Sequence, residues 1–460
     1  MRKKYELLVI GGGPAGITLA KKLGNIYHIA VIRPEPKSMI YCAMPYVVEG
    51  ILPIEKTFKK DDLITDSGSE LIVGTVISVN EKEKTVSLTD GKVVGFEKLV
   101  IATGAEPFVP DISGVEKHGV FVFKTQNDLE KLLIEVKKIK NAVVVGAGAI
   151  GIELAQAINS IGIRTHIVEM AGNILPNMMD EEMSEPAKIK LLASGIRLHL
   201  SSKIIKIEGT ERAEAAIMDN GVRINLEESE PDCADGGAEK RHGIIIFAAG
   251  VKPSLDFIEK TSISRSKNGI IVNAYMETNV EDIYACGDCV EFVSGINKKK
   301  YPGKLATNAV PMAKVLAHGL KGLFHAYPGF YNGAATKVGD LYLGSSGFTE
   351  KEALKLGYDT VTAYSEFSTK FPVMPGALPL KTKLVADRNT GILLGGQIVS
   401  REPVAARIDL ITMAIQNRLT VEGVLGHSYS AQPYQSYYPA ENGFVAAAEK
   451  IYEKIMEPSD

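Results

Sequence analysis

A glycine-rich turn between an apolar strand and an apolar helix occurs twice in this chain, and the repetition narrows the folds open to it. The first copy is YELLVIGGGPAGITLAKKLGNIYHIAVIR, residues 5 to 33, and the second is NAVVVGAGAIGIELAQAINSIGIRTHIVE, residues 141 to 169. Each reads as a β-branched strand, a tight turn, an Ala/Leu/Ile helix and a second strand. Strands that stay apolar on both faces belong inside a parallel sheet covered by helices. Two βαβ nucleotide-binding halves are therefore expected. At 460 residues the chain exceeds what one core sustains, so two or three domains are expected.

Gly11, Gly13 and Gly16 form G-x-G-x-x-G, with Pro14 and Ala15 opening the helix. Such a turn lets the backbone approach a pyrophosphate, which then rests on the positive helix N-terminus. Gly146, Gly148 and Gly151 repeat it, with Ala149 and Ile150 between them and Glu153 just beyond. Glu169 ends the following strand, about 20 residues on, where a carboxylate accepts from both ribose hydroxyls and repels a 2′-phosphate. Met170 and Ala171 follow instead of an arginine, so NADH is expected over NADPH. In the first copy the equivalent position is Arg33. Two arrangements stay open there: Glu35 reaches the ribose past Pro34, or Arg33 lies against adenine or phosphates.

Two dinucleotide sites imply two cofactors, and the natural pair is FAD with a nicotinamide. The segment TNVEDIYACGDCVE, residues 278 to 291, supports that pairing. A strand ending Ile283-Tyr284-Ala285, followed by Gly287-Asp288, puts a carboxylate where ribityl hydroxyls and pyrophosphate arrive. Leu305, Ala306, Thr307 and Asn308 then open a helix whose N-terminus would face the pyrimidine side of the ring. LVIATGAEP (99 to 107) supplies Ala102, Thr103 and Gly104, and IIIFAAGVKP (244 to 253) supplies Gly250. Val76 is also placed among the cofactor-contacting residues. The polar stretch from 222 to 243 reads as an extended surface connection. Past about residue 329, short strands precede helical stretches such as ARIDLITMAIQNRL, and a separate α+β unit is expected.

Composition excludes several other functions. With 52 basic and 55 acidic residues the net charge is -3, so neither a nucleic-acid nor a membrane partner is expected. Four cysteines (Cys42, Cys233, Cys286 and Cys289) are too few and scattered for a secreted disulfide framework. The basic N-terminus leads into a glycine cluster rather than a cleavage site, and a cytoplasmic enzyme is expected. The eight histidines show no ligand spacing, and no metal is expected. Cys286 and Cys289 form Cys-x-x-Cys without a second pair, and packing is their expected role.

The order Gly11-to-Gly16, Cys42, Thr103-Gly104, Gly146-to-Gly151, Glu169, Gly250, Gly287-Asp288 resembles the two-dinucleotide-binding flavoprotein disulfide reductases, along essentially the whole chain. GFTEKEALKLG and GGQIVS are similar to that family's interface domain. The resemblance implies an FAD domain over 1–118 and 250–328, an NAD domain over 119–249 and a dimerisation domain over 329–460. Members with Cys-x-x-x-x-Cys would carry a second cysteine where Val47 stands, and their His-Pro motif is replaced by Gln432-Pro433-Tyr434. IYCAMPYVVEG is instead similar to the single-cysteine subgroup: coenzyme A disulfide or persulfide reductases, NADH oxidases and NADH peroxidases. In such a mechanism the electron pair passes from NADH through the flavin to a sulfur bonded to Cys42. A local helix terminus is expected to favour the Cys42 thiolate.

Within the subgroup, peroxidases carry a histidine in the first glycine turn, and this chain has none. Coenzyme A disulfide reductases carry C-terminal tyrosines that reach the partner subunit's cysteine. Tyr429, Tyr434, Tyr437 and Tyr438 are the candidates, with Tyr434 fitting best. Coenzyme A itself stays open, because Lys21 and Lys22 precede the places where paired arginines would hold its phosphates. The expected function is NADH-dependent reduction of small disulfides or persulfides by a homodimer. An NADH oxidase and an NADH-binding redox sensor are the alternatives.

Overall fold

The computed structural model describes residues 3–229, 240–301 and 306–457. The first glycine turn sits in a seven-stranded sheet. In space it runs Glu70–Val73, Ile29–Arg33, Lys4–Ile10, Val93–Ile101, Thr85–Leu88, Val76–Asn80. Val93–Ile101 serves two neighbourhoods. Its first half pairs antiparallel with Thr85–Leu88, and its second half lies parallel between Lys4–Ile10 and Ile283–Ala285. Leu7, Leu8, Val9, Val100 and Ile101 are fully buried, as continuous apolar strands in a covered parallel sheet must be.

The second glycine turn sits in an all-parallel five-stranded sheet. Its order is Val120–Val122, Gly243–Phe247, Asn141–Val145, Arg164–Val168, Arg197–His199. One face packs on the helices Ala149–Ser160 and Glu181–Ala193. The other packs on a small antiparallel sheet, Ile204–Glu208, Ala215–Met218 and Arg223–Asn225. That last strand corrects the reading of 222–243 as surface connection throughout. Ile224 and Leu226 alternate with polar neighbours and are buried, a period-2 signal that the surrounding Glu, Asp and Gly obscure. Cys233 and the rest of 230–239 lie outside the described residues.

The chain leaves the first sheet after Ile101 and returns to it at Ile283. The two passages pair antiparallel, Val251 opposite Pro107 and Lys252 opposite Glu106. The last part of the chain is a five-stranded antiparallel sheet with helices. Its order is Ala334–Val338, Leu341–Gly347, Leu393–Ser400, Pro379–Asp387, Thr360–Ser368. The architecture is thus α/β, two Rossmann-like sheets followed by an α+β unit. Among the described residues no helix is long and apolar enough to cross a membrane.

Candidate active site

The two glycine turns are built alike. Gly11 has φ +120°, and a Cβ there would lie 2.1 Å from the Ala102 carbonyl oxygen. Gly146 has φ +109°, and its Cβ would lie 2.6 Å from the Ala248 oxygen. One turn on, a Cβ at Gly16 or Gly151 would strike the carbonyl of Gly11 or Gly146, at 2.0 and 2.1 Å. These four positions press helix against strand. Gly13 and Gly148 differ, since a Cβ there meets nothing within 4 Å. Both cap their helices without a side-chain hydrogen bond. Each capping glycine therefore borders open space, and the first-turn N–H groups beyond it, Ala15 and Gly16 or Ala149 and Ile150, lack intrahelical acceptors, which fits a pyrophosphate.

Around the first turn the structure distinguishes Arg33 from Glu35. Arg33 is 1% exposed. Its guanidinium donates to the carbonyls of Glu35 (2.9 Å) and Pro36 (2.8 Å) and to the Asp61 carboxylate (2.6 Å), while its stem packs on Gly12. Arg33 thus braces the loop after its strand from within, which leaves a partly exposed Glu35 and an exposed Lys37 on that loop. Val76 begins its strand two residues after Gly74, whose N–H donates to the Arg33 carbonyl at 2.8 Å.

Gly287 has φ +83°, and a Cβ there would touch Ala15 (3.9 Å) and Ala309 (3.4 Å). The segment Gly287-Asp288 is therefore wedged between the first glycine-turn helix, Pro14–Leu23, and the helix Ala309–Gly319. Ala306–Asn308 forms a 3-10 turn leading into the latter helix; Leu305 lies outside the described residues. Thr103 and Gly104 follow the buried Ala102 at the carboxyl end of the central strand. Lys124 is a residue the sequence reading passed over. Burial lowers its pKa, and Asp288, Glu106 and Glu35 oppose that shift. Its ammonium lies over the Tyr41 ring, 6.0 Å from the centroid, which sets it beside both the cysteine turn and the first cradle. Its only sequence signal is its place just before the capped helix Gln126–Glu135. Cys286 and Cys289 are fully buried, and the Cys289 thiol bonds the carbonyls of Ile101 and Cys286, both at 3.3 Å. Burial pushes the Cys286 thiol well up, in keeping with packing.

In the second cradle both Glu169 oxygens are engaged, one by Ala147 N–H (2.7 Å) and the other by Ala171 N–H (2.8 Å). Gly250 has φ +101° and borders open space. Glu153 lies one turn into the helix. It accepts from the Thr336 hydroxyl at 2.8 Å, and burial raises its pKa against that bond.

Cys42 is exposed on a 3-10 turn, Tyr41–Ala43, followed by the helix Met44–Val48. That helix has only five residues, so the terminus expected to favour the thiolate is weaker than a full helix would give. The helix packs on Ala149–Ser160 of the second sheet. Tyr46, also missed, shares its face with Cys42 at i, i+4. Burial raises the Tyr46 phenol, and Glu153 and Cys42 act in the same direction. Cysteine, phenol and carboxyl therefore gather where the two nucleotide units meet Thr336 of the third.

The four C-terminal tyrosines are not equivalent. Tyr429 donates to the Pro439 carbonyl, Tyr437 lies under Arg407, and Tyr438 stacks edge-on with Phe371. Tyr434 is 60% exposed, and among the described residues its hydroxyl has no partner. One acidic trio, Asp180, Glu182 and Glu350, has the spacing of metal ligands. The Lys383 ammonium occupies its centre, within 2.5 to 2.8 Å of all three.

Residues 5–313 match the pyridine nucleotide-disulphide oxidoreductase family, and residues 334–441 match that family's dimerisation domain. An NADH oxidase of Methanocaldococcus jannaschii is 33% identical over 446 residues, 93% of this chain and 94% of the relative. A CoA-dependent NAD(P)H sulfur oxidoreductase of Pyrococcus abyssi is 32% identical, over 92% of this chain and 93% of the relative. Among solved structures, an NAD-dependent persulfide reductase from A. fulgidus has a TM-score of 0.88 at 26% identity. It covers 97% of this chain, which in turn covers 83% of it.

Proposed function

This chain belongs to the pyridine nucleotide-disulphide oxidoreductases, and on that premise we propose that it uses NADH and FAD to reduce small disulfides or persulfides at Cys42. The observation that carries the reading is the placement of Cys42. It is an exposed sulfur on a turn packed between the two glycine-turn units, whereas Cys286 and Cys289 are sealed in the core. Relatives named as sulfur and persulfide reductases support the same substrate class.

Gly11, Gly13, Pro14, Ala15, Gly16, Glu35, Val76, Ala102, Thr103, Gly104, Asp288 and Ala306 form the proposed FAD cradle, with Lys124 added and Arg33 as a brace. Gly146, Gly148, Ala149, Ile150, Gly151, Glu153, Glu169 and Gly250 form the proposed NADH cradle. FAD, when bound, accepts a hydride from NADH and hands on an electron pair. The Cys42 thiolate attacks one sulfur of the substrate and releases the other as thiolate or hydrosulfide. The incoming electron pair then breaks the new S–S bond, and the second product leaves. A leaving thiolate needs a proton or a hydrogen bond. In the proposed homodimer, the unengaged Tyr434 hydroxyl of one subunit supplies it to the other subunit's site. Coenzyme A is the proposed carrier by its mention in relatives' names.

The test is anaerobic NADH consumption by wild type and Cys42→Ser, against coenzyme A disulfide, coenzyme A persulfide, polysulfide, glutathione disulfide and cystine. At least one sulfur compound should be turned over by wild type and not by the variant, while flavin reduction by NADH stays near wild type. Retained sulfur turnover in Cys42→Ser would move the chemistry off Cys42. An aerobic control serves the second reading, oxygen reduction, which the relatives named NADH oxidases favour.

A further inference from the structure

Cys42 follows a two-residue strand, Ser38–Met39, that pairs antiparallel with Phe58–Lys59, setting Lys59 opposite Ser38. Ile40 N–H donates to the Thr57 carbonyl at 2.8 Å, so the pairing continues to within two residues of Cys42. On the other side, the Ser38 hydroxyl donates to the Gly12 carbonyl at 3.1 Å. Lys59 is thus carried on the strand paired with the one that joins the cysteine turn to the first glycine turn. It is half-buried, and among the described residues its ammonium has neither an ion pair nor a hydrogen bond. Burial lowers its pKa, and the titratable neighbour acting against that shift is the Cys42 sulfur.

The nearby lysines differ. Lys124 lies over the Tyr41 ring at 6.0 Å with Asp288, Glu106 and Glu35 acting on its charge, Lys37 lies over the Phe58 ring at 5.2 Å, and Lys60 is exposed. A half-buried ammonium without a counter-charge is unfavourable, and an arriving anion relieves it. We propose that Lys59 is a specificity-determining residue for chemistry at Cys42, drawing anionic sulfur compounds to the cysteine in preference to neutral or cationic ones. The favoured class is persulfides, polysulfides and disulfides bearing carboxylate or phosphate. The proposal deepens the reading of Cys42 as the acceptor, and rests on it.

Two reagents isolate the effect of charge. Iodoacetate is anionic and iodoacetamide neutral, and both convert the cysteine to a thioether with loss of iodide. Holoenzyme is reduced, desalted and alkylated anaerobically, and the rate at the Cys42 peptide is followed by mass spectrometry. In Lys59→Met the iodoacetate-to-iodoacetamide rate ratio should fall roughly 3- to 10-fold, as expected when one steering charge is removed. Lys59→Arg should keep the ratio. An unchanged ratio in Lys59→Met, or equal losses with both reagents, would overturn the proposal. As a second measurement, kcat/KM of Lys59→Met should drop for the dicarboxylate 5,5′-dithiobis(2-nitrobenzoate) and not for cationic cystamine; equal drops count against it. If wild type turns over no sulfur compound at all, the reading of Cys42 as acceptor fails, while the alkylation ratio still decides the role of Lys59.

Discussion

At Glu169, backbone donors from Ala147 and Ala171 each hold one carboxylate oxygen, and the remaining lone pairs are what a ribose would meet. A 2′-phosphate arriving there faces a fixed negative charge. Wild type should therefore prefer NADH, and Glu169→Ala should shrink the NADH-to-NADPH ratio of kcat/KM about 10- to 100-fold, the range for losing charged hydrogen bonds. An unchanged ratio would remove Glu169 from coenzyme choice. Tyr434→Phe keeps the ring and deletes the hydroxyl of the most exposed of the four C-terminal tyrosines. Sulfur turnover should fall roughly 10- to 1,000-fold, with flavin reduction by NADH unchanged; near-wild-type turnover returns Tyr434 to a packing role. Glu169 and Cys42 were legible in the sequence because local spacing fixes them relative to a glycine turn. Lys124, Tyr46 and Lys59 were not, because what matters about each is a neighbour reached only through the fold. Arg33 was ambiguous for the same reason, since Asp61, its counter-charge, is 28 residues away.

The two glycine units are strand–turn–helix elements held at the closest approach a backbone permits. At Gly151 any side chain would drive the helix Ala149–Ser160 off its strand, because the Gly146 carbonyl stands 2.1 Å from where a Cβ begins. Gly151→Val should thus abolish saturable NADH binding while the chain keeps its FAD, read as bound-flavin absorbance and by NADH titration. Retained NADH affinity would mean that the second unit is not the nicotinamide site. The same elements were readable in advance because strand, glycine turn and helix recur in one order. Thr360–Ser368 and Gly443–Met456 were harder to read. The first, TVTAYSEFS, has a polar face of Thr, Tyr and Glu, and its apolar face, Val361 and Ala363, is covered by Gly443–Met456. The second packs on that strand from about 80 residues away in sequence.

Across the whole molecule, the second sheet is joined to the C-terminal sheet by a charge cluster that is buried at Lys383 and Asp180, partly exposed at Glu182 and Glu350, and spans some 200 residues of sequence. Lys383, fully buried, meets Asp180 at 2.8 Å, Glu182 at 2.5 Å and Glu350 at 2.7 Å. Gln397 and two backbone N–H groups of the Glu350 turn complete the shell around Asp180. Burial works against the ammonium, but the three carboxylates outweigh it and its pKa is raised. Its contribution is therefore fully present below the ordinary lysine pKa and is lost only as pH climbs through the raised value. Burial acts to raise the Glu182 pKa, and bonds from Lys383 and Tyr364 bring it below the usual range, so its share fades as pH falls through that lowered value. Lys383→Met leaves three carboxylates facing one another without a cation, and removing one partner of a buried pair costs about 3–5 kcal/mol. The variant should lose several degrees of Tm at pH 7. In the variant the abandoned carboxylates bind protons more readily folded than unfolded, so the deficit should narrow as pH is lowered toward 5. A deficit that stays constant over that range would mean the loss is one of packing, and an unchanged Tm would mean that the joint between the two sheets rests elsewhere, on Thr336–Glu153 and Gln156–Gly339.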